Sequence, residues 1–415
     1  MSRLEELIAE LCPDGVEYKK LEEIATDIYR GSGIKREQVT ETGTPCVRYG
    51  EIYTTYGIWF DRCVSHTDAD TISSPKYFEH GDILFVITGE SVEDIAKSTA
   101  YVGYERCLAG GDIVVLKHEQ NPKYLSYALA TSAARKQKSS GKVKSKVVHA
   151  SVPDIKDIVI PVPPLPVQRE IVQILDNFTE LTAELTAELT ARKKQYEYYR
   201  DKLLTFDVLG GGANVCEWRT FGELAAIARG ASPRPIKNFI TGEATGVNWI
   251  KIGDVKPGNK YITETADKIT SDGAKKSRFV KRGDFILSNS MSFGRPYILG
   301  IDGCIHDGWL SISGFEKTFL PDFLYHLLSS NSYQLMMQKR ASFGGAVQNL
   351  NADIVKDLEV PIVPFHIQQY IVNILDRFDS LCNDLTSGLP AEIEARQKQY
   401  EYYRDKLLTF KELTT

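Results

Sequence analysis

Gln195-Tyr196-Glu197-Tyr198-Tyr199-Arg200-Asp201-Lys202-Leu203-Leu204-Thr205-Phe206 returns letter for letter as Gln399 through Phe410, 204 residues further on. An Arg-x-Lys lead-in precedes both copies, from Arg192 and from Arg396. Composition bias does not produce twelve identical residues at that distance, so the chain must fold as two related units. A pattern shared by both halves is then architecture. A pattern confined to one half is a candidate for function.

Shorter echoes flank the long one. Gln168, Val172, Ile174-Leu175-Asp176 and Phe178 match Gln368, Val372, Ile374-Leu375-Asp376 and Phe378. Glu17-Tyr18-Lys19 matches Glu217-Trp218-Arg219, and Asp154-Ile155 before Pro161 matches Asp353-Ile354 before Pro361. Each half is a variable stretch of roughly 150 residues followed by a well-matched stretch of roughly 45.

The matched stretches read as long helices. Gln168 to Phe206 contains neither Gly nor Pro, and its apolar residues recur three, four and seven apart, which marks one stripe along a helix. About 40 residues at 1.5 Å each give a rod of roughly 60 Å. Glu-Leu-Thr-Ala runs three times from Glu180 to Ala191 and keeps Leu181, Leu185 and Leu189 on neighbouring turns. The second copy is expected to break near 388–390, at Gly388-Leu389-Pro390. An apolar stripe needs a partner, so the two helices are expected to pack side by side through Ile171, Ile174, Leu175, Phe178, Leu181, Leu185, Tyr199 and Leu203 of one. Ile371, Ile374, Leu375, Phe378, Leu381, Tyr403 and Leu407 are the expected contacts of the other. Leu181→Asp is expected to weaken that packing.

The variable stretches read as α/β. Short β-rich runs (Ile83-Leu84-Phe85-Val86, Ile113-Val114-Val115-Leu116, Phe285-Ile286-Leu287) lie between Gly pairs and polar turns, and one helix in each half starts at a proline, Pro122 and Pro321. The expected fold class is α+β: two α/β domains separated by two long helices packed as an antiparallel coiled coil, with an internal two-fold repeat. The divisions are 1–163 (with an N-terminal helix at 2–11), 164–208, 209–363 and 364–415.

The chain of 415 residues carries a formal charge of −5 and seven scattered cysteines without Cys-x-x-Cys. Neither a disulfide framework nor a zinc site is indicated. No apolar run reaches the ~20 residues of a membrane span, so no membrane partner is expected and the cytoplasm is the natural compartment. Two basic patches stand out, Arg135 to Lys146 and Lys275 to Arg282, one in each variable stretch. Each suits phosphate contact, although either alone reads equally well as a solvated face. The search for catalysis finds no Walker A loop, Gly-x-Gly-x-x-Gly, His-Glu-x-x-His or Gly-x-Ser-x-Gly. Asn121-Pro122-Lys123-Tyr124 imitates an amino-methyltransferase loop, but the other half has Leu320-Pro321-Asp322-Phe323 there. A proline opening a helix explains both. His306, between Ile305 and Asp307-Gly308-Trp309, reads as a hydrogen-bonded structural histidine.

The chain as a whole resembles the specificity subunits of type I restriction-modification systems. The carriers are the two Arg-x-Lys-Gln-Tyr-Glu-Tyr-Tyr-Arg-Asp-Lys-Leu-Leu segments and the paired Gln…Ile-Leu-Asp segments. The tandem Thr-Ala-Glu-Leu units at Thr182 to Leu189 point to the EcoR124-like branch. The resemblance implies two target-recognition domains reading the halves of a bipartite asymmetric site on double-stranded DNA. It also implies two methyltransferase (M) subunits docked on the helices, and restriction (R) subunits joining through that complex. The chain itself would have no catalytic residue, metal or cofactor, and S-adenosylmethionine would sit on the methyltransferase subunits. Base and phosphate recognition needs cationic, amide and hydroxyl side chains on loops. The candidates in the first domain are Arg30, Lys35, Arg36, Thr88, Glu90, Ser91, Lys142, Lys144 and Lys146. In the second they are Arg229, Arg234, Lys237, Asn289, Ser290, Ser292, Arg295, Ser342, Gln348 and Asn349. The rival readings are a self-contained DNA-modifying enzyme and a coiled-coil interaction scaffold that does not bind DNA.

Overall fold

The computed structural model describes residues 2–89, 95–138, 142–144, 147–206, 216–255, 259–289, 293–344, 347–384 and 386–413. They form two compact units that do not follow chain order. Unit 1 comprises Met1–Ala183 with Ala395–Thr415, and unit 2 comprises Glu184–Glu394.

Unit 1 holds two five-stranded sheets. The first runs in the order Ala25–Arg30, Ile113–His118, Ile83–Val86, Ser98–Tyr101, Trp59–Phe60, and its core strands are buried on both faces. Side chains alternate along a strand. Leu84, Val86 and Val115 therefore pack with Val47, Phe78 and Cys107 of the second sheet, while Ile83, Phe85 and Leu116 pack with the helices. Unit 2 repeats the plan: Ala226–Arg229, Trp309–Ser313, Phe285–Ser288, Pro296–Leu299, Tyr261–Ile262. The proline-led helices run over Pro122–Leu129 and Pro321–Ser329, and the N-terminal helix covers Arg3–Leu11.

The long helix is continuous over Leu165–Leu203, and the second copy is split into Phe365–Asn383 and Leu389–Leu407. At the split, a Cβ on Gly388 would stand 2.5 Å from the Ser380 carbonyl oxygen, so only glycine fits. Asp384 secures the turn by accepting from Thr386 N (2.7 Å) and Ser387 Oγ (2.5 Å), and these bonds hold its carboxyl below the usual carboxylate range.

In unit 1 the first part of the long helix lies antiparallel to the chain's last helix. Phe178 stacks on Tyr403 with centroids 5.5 Å apart, and Ala183 shares a cleft with Gln397. In unit 2 the later part of the same helix packs on Phe365–Asn383, with Tyr196 and Tyr199 stacked on Phe378 at 6.3 and 5.8 Å. Each unit thus takes the twelve-residue repeat that belongs to the other half of the sequence. The docking contacts are the same. Asp405 accepts from Ser132 N (3.3 Å) at the start of Ser132–Lys138, and Asp201 accepts from Asn331 N (3.0 Å) at the start of Asn331–Arg340.

Ile171, Leu175, Ile371 and Leu375 are buried, and Ile174, Phe178, Leu203, Phe378 and Leu407 are partly buried against the same cores. The expected stripe does not continue as drawn. Leu181 is 36% exposed and Leu381 38%, because the aromatic rings at Phe178 and Phe378 take up the contact one turn earlier. Tyr199 is similarly exposed but keeps its stack on Phe378. Leu185 is half-buried.

A buried glutamine ties each helix to its domain. Gln168 accepts from Asn121 N (3.0 Å) and donates to Gln120 Oε1 and the Pro163 carbonyl, both at 2.8 Å. Gln368 does the same with Leu320 N (2.8 Å), the Thr318 carbonyl (2.8 Å) and the Val363 carbonyl (2.6 Å). Gln168→Leu leaves buried partners unsatisfied, at about 1–3 kcal/mol. Denaturant melts should show that loss, while Leu181→Asp should stay within about 0.5 kcal/mol. Equal losses for the two variants would refute this division.

Candidate nucleic-acid interface

Sequence-chosen residues far apart in the chain meet on one edge of each unit. In unit 1, Thr88–Gly89 pairs with Val147–His149, which pairs with Lys142–Lys144, so Thr88, Lys142 and Lys144 share one three-stranded sheet. In unit 2 the hairpin of Ser342–Gly344 and Val347–Asn349 carries Ser342, Gln348 and Asn349, and Leu350 N donates to the Asn289 carbonyl at 3.0 Å. The side chains of 142–144, 147–149, 342–344 and 347–349 are not described. Glu90, Ser91, Lys146, Ser290 and Ser292 lie outside the described residues.

Asp307 is the centre of the unit 2 edge, and the sequence reading did not select it. Its Oδ1 accepts from Ser232 Oγ (2.7 Å), its Oδ2 from Arg234 Nη2 (3.3 Å), and its carbonyl from Arg229 Nε (3.1 Å) and Asn289 Nδ2 (2.9 Å). The Ser232 bond, with His306 and Arg234 adding to it, holds the Asp307 carboxyl below its ordinary range. Arg278, from the second basic patch, donates to the Arg229 carbonyl at 2.7 Å. His306 accepts from Gly308 N at 2.8 Å, a structural bond. Arg234, Lys237 and Arg295 are exposed.

In unit 1, Arg30 donates through Nε to the Gly111 carbonyl and through Nη2 to Asp112 Oδ1 (2.9 Å). The Nε bond is the counterpart of that between Arg229 and Asp307. Lys35 and Arg36 are exposed beside the short turn Arg36–Gln38. The first basic patch is not one surface. Lys138 is buried, with Nζ 3.1 Å from Ser98 Oγ, whereas Arg135 and Lys136 are exposed. Among the described residues no group of His, Cys, Asp and Glu could hold a metal, and no helix is long and apolar enough to cross a membrane.

Fold and edges together define a tandem-repeat protein with two similar domains whose polar, cation-bearing edges differ in chemistry. The chain belongs to the type I restriction modification DNA specificity domain family, whose model matches residues 13–192 and 216–395. It is 37% identical over 271 residues to the Escherichia coli type I restriction enzyme EcoR124I/EcoR124II specificity subunit, covering 61% of this chain and 63% of that one. A chain from a structural study of complex assembly and conformational transition in the type I R-M system matches with a TM-score of 0.67. Its identity is 17%, with 96% of this chain and 98% of that chain covered. The type I restriction-modification S subunit of M. genitalium matches with a TM-score of 0.52 at 14% identity, covering 95% and 96%. These likenesses bear on the fold.

Burial pushes the Lys138 ammonium down to about 7. The unfolded chain holds that proton up to about 10.4, so between pH 7 and 10 the unfolded state binds more protons and stability rises with pH. Lys138 should therefore contribute a gain of about 2–3 kcal/mol from pH 7 to pH 9. Denaturant melts of wild type and Lys138→Met at both values should differ by that increment. Parallel pH profiles would contradict it.

Proposed function

We propose that this chain is the non-catalytic, DNA-reading component of a type I restriction-modification complex. Its two target-recognition domains read the halves of a bipartite, asymmetric site on double-stranded DNA. The observation that carries this reading is the paired edge chemistry. At one topological place unit 1 has Thr88, Lys142 and Lys144, and unit 2 has Asn289, Ser342, Gln348 and Asn349. One scaffold with two unlike sets of residue types at the same backbone place suits two different half-sites, since direct readout depends on the donor and acceptor pattern. The length of the Leu165–Leu203 helix sets the gap between half-sites. Duplicating Thr182–Leu185 lengthens the helix by about 6 Å. Mapping methylated adenines in a host carrying the variant and its partners should show unchanged half-sites and a longer gap. Altered half-sites would overturn the reading, and binding insensitive to salt would remove the phosphate contacts it needs.

The helices dock two methyltransferase subunits, and these bind S-adenosylmethionine and carry out the chemistry in the cytoplasm. Restriction subunits join through the complex. Buried positions of the twelve-residue repeat are kept because both units need the same docking contacts. Folding does not require identity at exposed positions, yet Tyr198 and Tyr402, 60% and 62% exposed, are also the same. Lys202 and Lys406 stand 5.7 and 5.9 Å from those rings. Two identical exposed faces suit two copies of one partner. Tyr198→Ala or Tyr402→Ala should each leave one methyltransferase subunit bound per chain, and the double variant none, as read by native mass spectrometry. Full occupancy in the double variant would refute this assignment.

A further inference from the structure

Unit 1 contains a cavity of about 1140 Å³. Its apolar lining includes Trp59, Tyr53, Ile58 and Leu129, with Lys123 Nζ 3.9 Å over one face of Trp59, and its polar lining includes Lys138, Arg404 and Tyr400. Its lining includes five cations against one carboxylate, Glu180. Its size matches or exceeds that of pockets holding drug-sized ligands, about 300–1,000 Å³, so a bare ion would not fill it.

The repeat supplies an internal control. Ser132 and Asn331 are equivalent, because each receives the repeat's aspartate on its backbone N–H. Six residues beyond them stand Lys138 and Met337. Met337 is fully buried in the apolar core of unit 2, as a scaffold position should be. Unit 1 instead places a nine-tenths buried ammonium there, and among the described residues Ser98 Oγ is its one hydrogen-bond partner although the group has three N–H donors. Tyr400 shows the same contrast. Its twin Tyr196 bonds His326 Nδ1 at 3.2 Å, but the residue at the His326 position in unit 1, Tyr127, gives its hydroxyl to Asp176 at 2.7 Å. The Tyr400 hydroxyl is buried and has no partner among the described residues. Arg404, 3% exposed, stands 5.5 Å from the Tyr400 ring centre and already donates to Asp405 Oδ1 through Nε (2.8 Å) and Nη2 (2.7 Å), so the unmet donors are those of Lys138 and Tyr400 and Arg404 adds charge.

A buried donor without a partner carries a cost that a scaffold avoids and a ligand relieves. We infer that the unit 1 cavity is a nucleotide-binding site: Lys138, Arg404 and Tyr400 hold a phosphate group while Trp59 and its apolar neighbours receive a flat ring. Multiple charge-assisted donors suit a phosphate, and the aromatic wall suits a base. The nucleotide comes either free or as part of a nucleic-acid strand. The site stands independently of the DNA-reading role, because it rests on cavity chemistry that the other unit lacks.

The test titrates the full chain at pH 6.5 with AMP, inorganic phosphate and a short DNA duplex, followed by calorimetry and ³¹P NMR. Lys138→Met, which installs the residue that unit 2 carries, preserves folding, and melts of the variant check this. The expected result is one AMP per chain, inorganic phosphate at least tenfold weaker, and a loss of at least tenfold in AMP affinity in Lys138→Met. Tyr400→Phe should weaken AMP severalfold, and Met337→Leu should leave it unchanged. Silence to AMP with a tenfold loss of duplex affinity in Lys138→Met would assign the site to a strand nucleotide. If neither AMP nor duplex responds to Lys138→Met, or both respond equally to Met337→Leu, the site is refuted. Adenine methylation at two unchanged half-sites would still support the DNA-reading role in that event.

Discussion

One carboxylate in a twelve-residue segment organises each half of this protein. Asp405 and Asp201 accept the first backbone N–H of a short helix, where the helix leaves donors unsatisfied. Around that bond the segment's apolar residues enter the core: Tyr400 and Leu408 in unit 1, Tyr196, Leu204 and Phe206 in unit 2. Without the segment each domain would expose the apolar side of the helix that follows it. The segment that covers it lies far along the chain in either case, as the pairs Phe178–Tyr403 and Tyr199–Phe378 show, so strict repetition of the segment follows.

The buried glutamines show the same economy. Gln168 and Gln368 each satisfy a backbone N–H and a backbone carbonyl with one amide, at the junction of domain and helix. A fully satisfied buried polar group fixes geometry that apolar packing alone leaves loose. The aspartates beside them tolerate variation in their partners. Asp176 takes Lys123 and Tyr127, while Asp376 takes Lys260 and His326. Burial pushes the His326 imidazole down against the pull of Asp376, so a buried imidazole meets a partly exposed carboxylate in that hydrogen bond.

Much of this was legible in the sequence. The absence of Gly and Pro from Gln168 to Phe206 and the three-four spacing of its apolar residues specify a long helix, and Gly388 marks the break. The partner of each helix part was not legible, because an apolar stripe records that it is covered and not by what. Leu181 and Leu381 were misplaced for that reason: helical phase alone puts them on the stripe, and the large rings beside them decide otherwise. Asp307 escaped notice because its role depends on three loops that meet only in the fold. Lys138 looked like part of a solvated basic run. Comparison with Met337 was the available signal, and it needed the alignment that Ser132 and Asn331 provide.

The duplication also ranks the edge residues. Arg30 and Arg229 both use Nε to bond the backbone carbonyl of the equivalent loop position, Gly111 and Asp307. A contact made in both halves belongs to the scaffold, and those arginines position the loop in either domain. The network of Ser232, Arg234 and Asn289 on Asp307 has no such twin, since Gly111 offers no carboxylate. Where unit 2 has Ser342–Gly344 in the equivalent hairpin, unit 1 has Lys142–Lys144, next to Thr88–Gly89 by way of Val147–His149. Shared contacts account for the shape of each edge, and the unshared ones account for why two edges on one scaffold have different chemistry. Specificity is a difference between affinities, so any difference in what the two edges bind resides in residues that the two halves do not have in common.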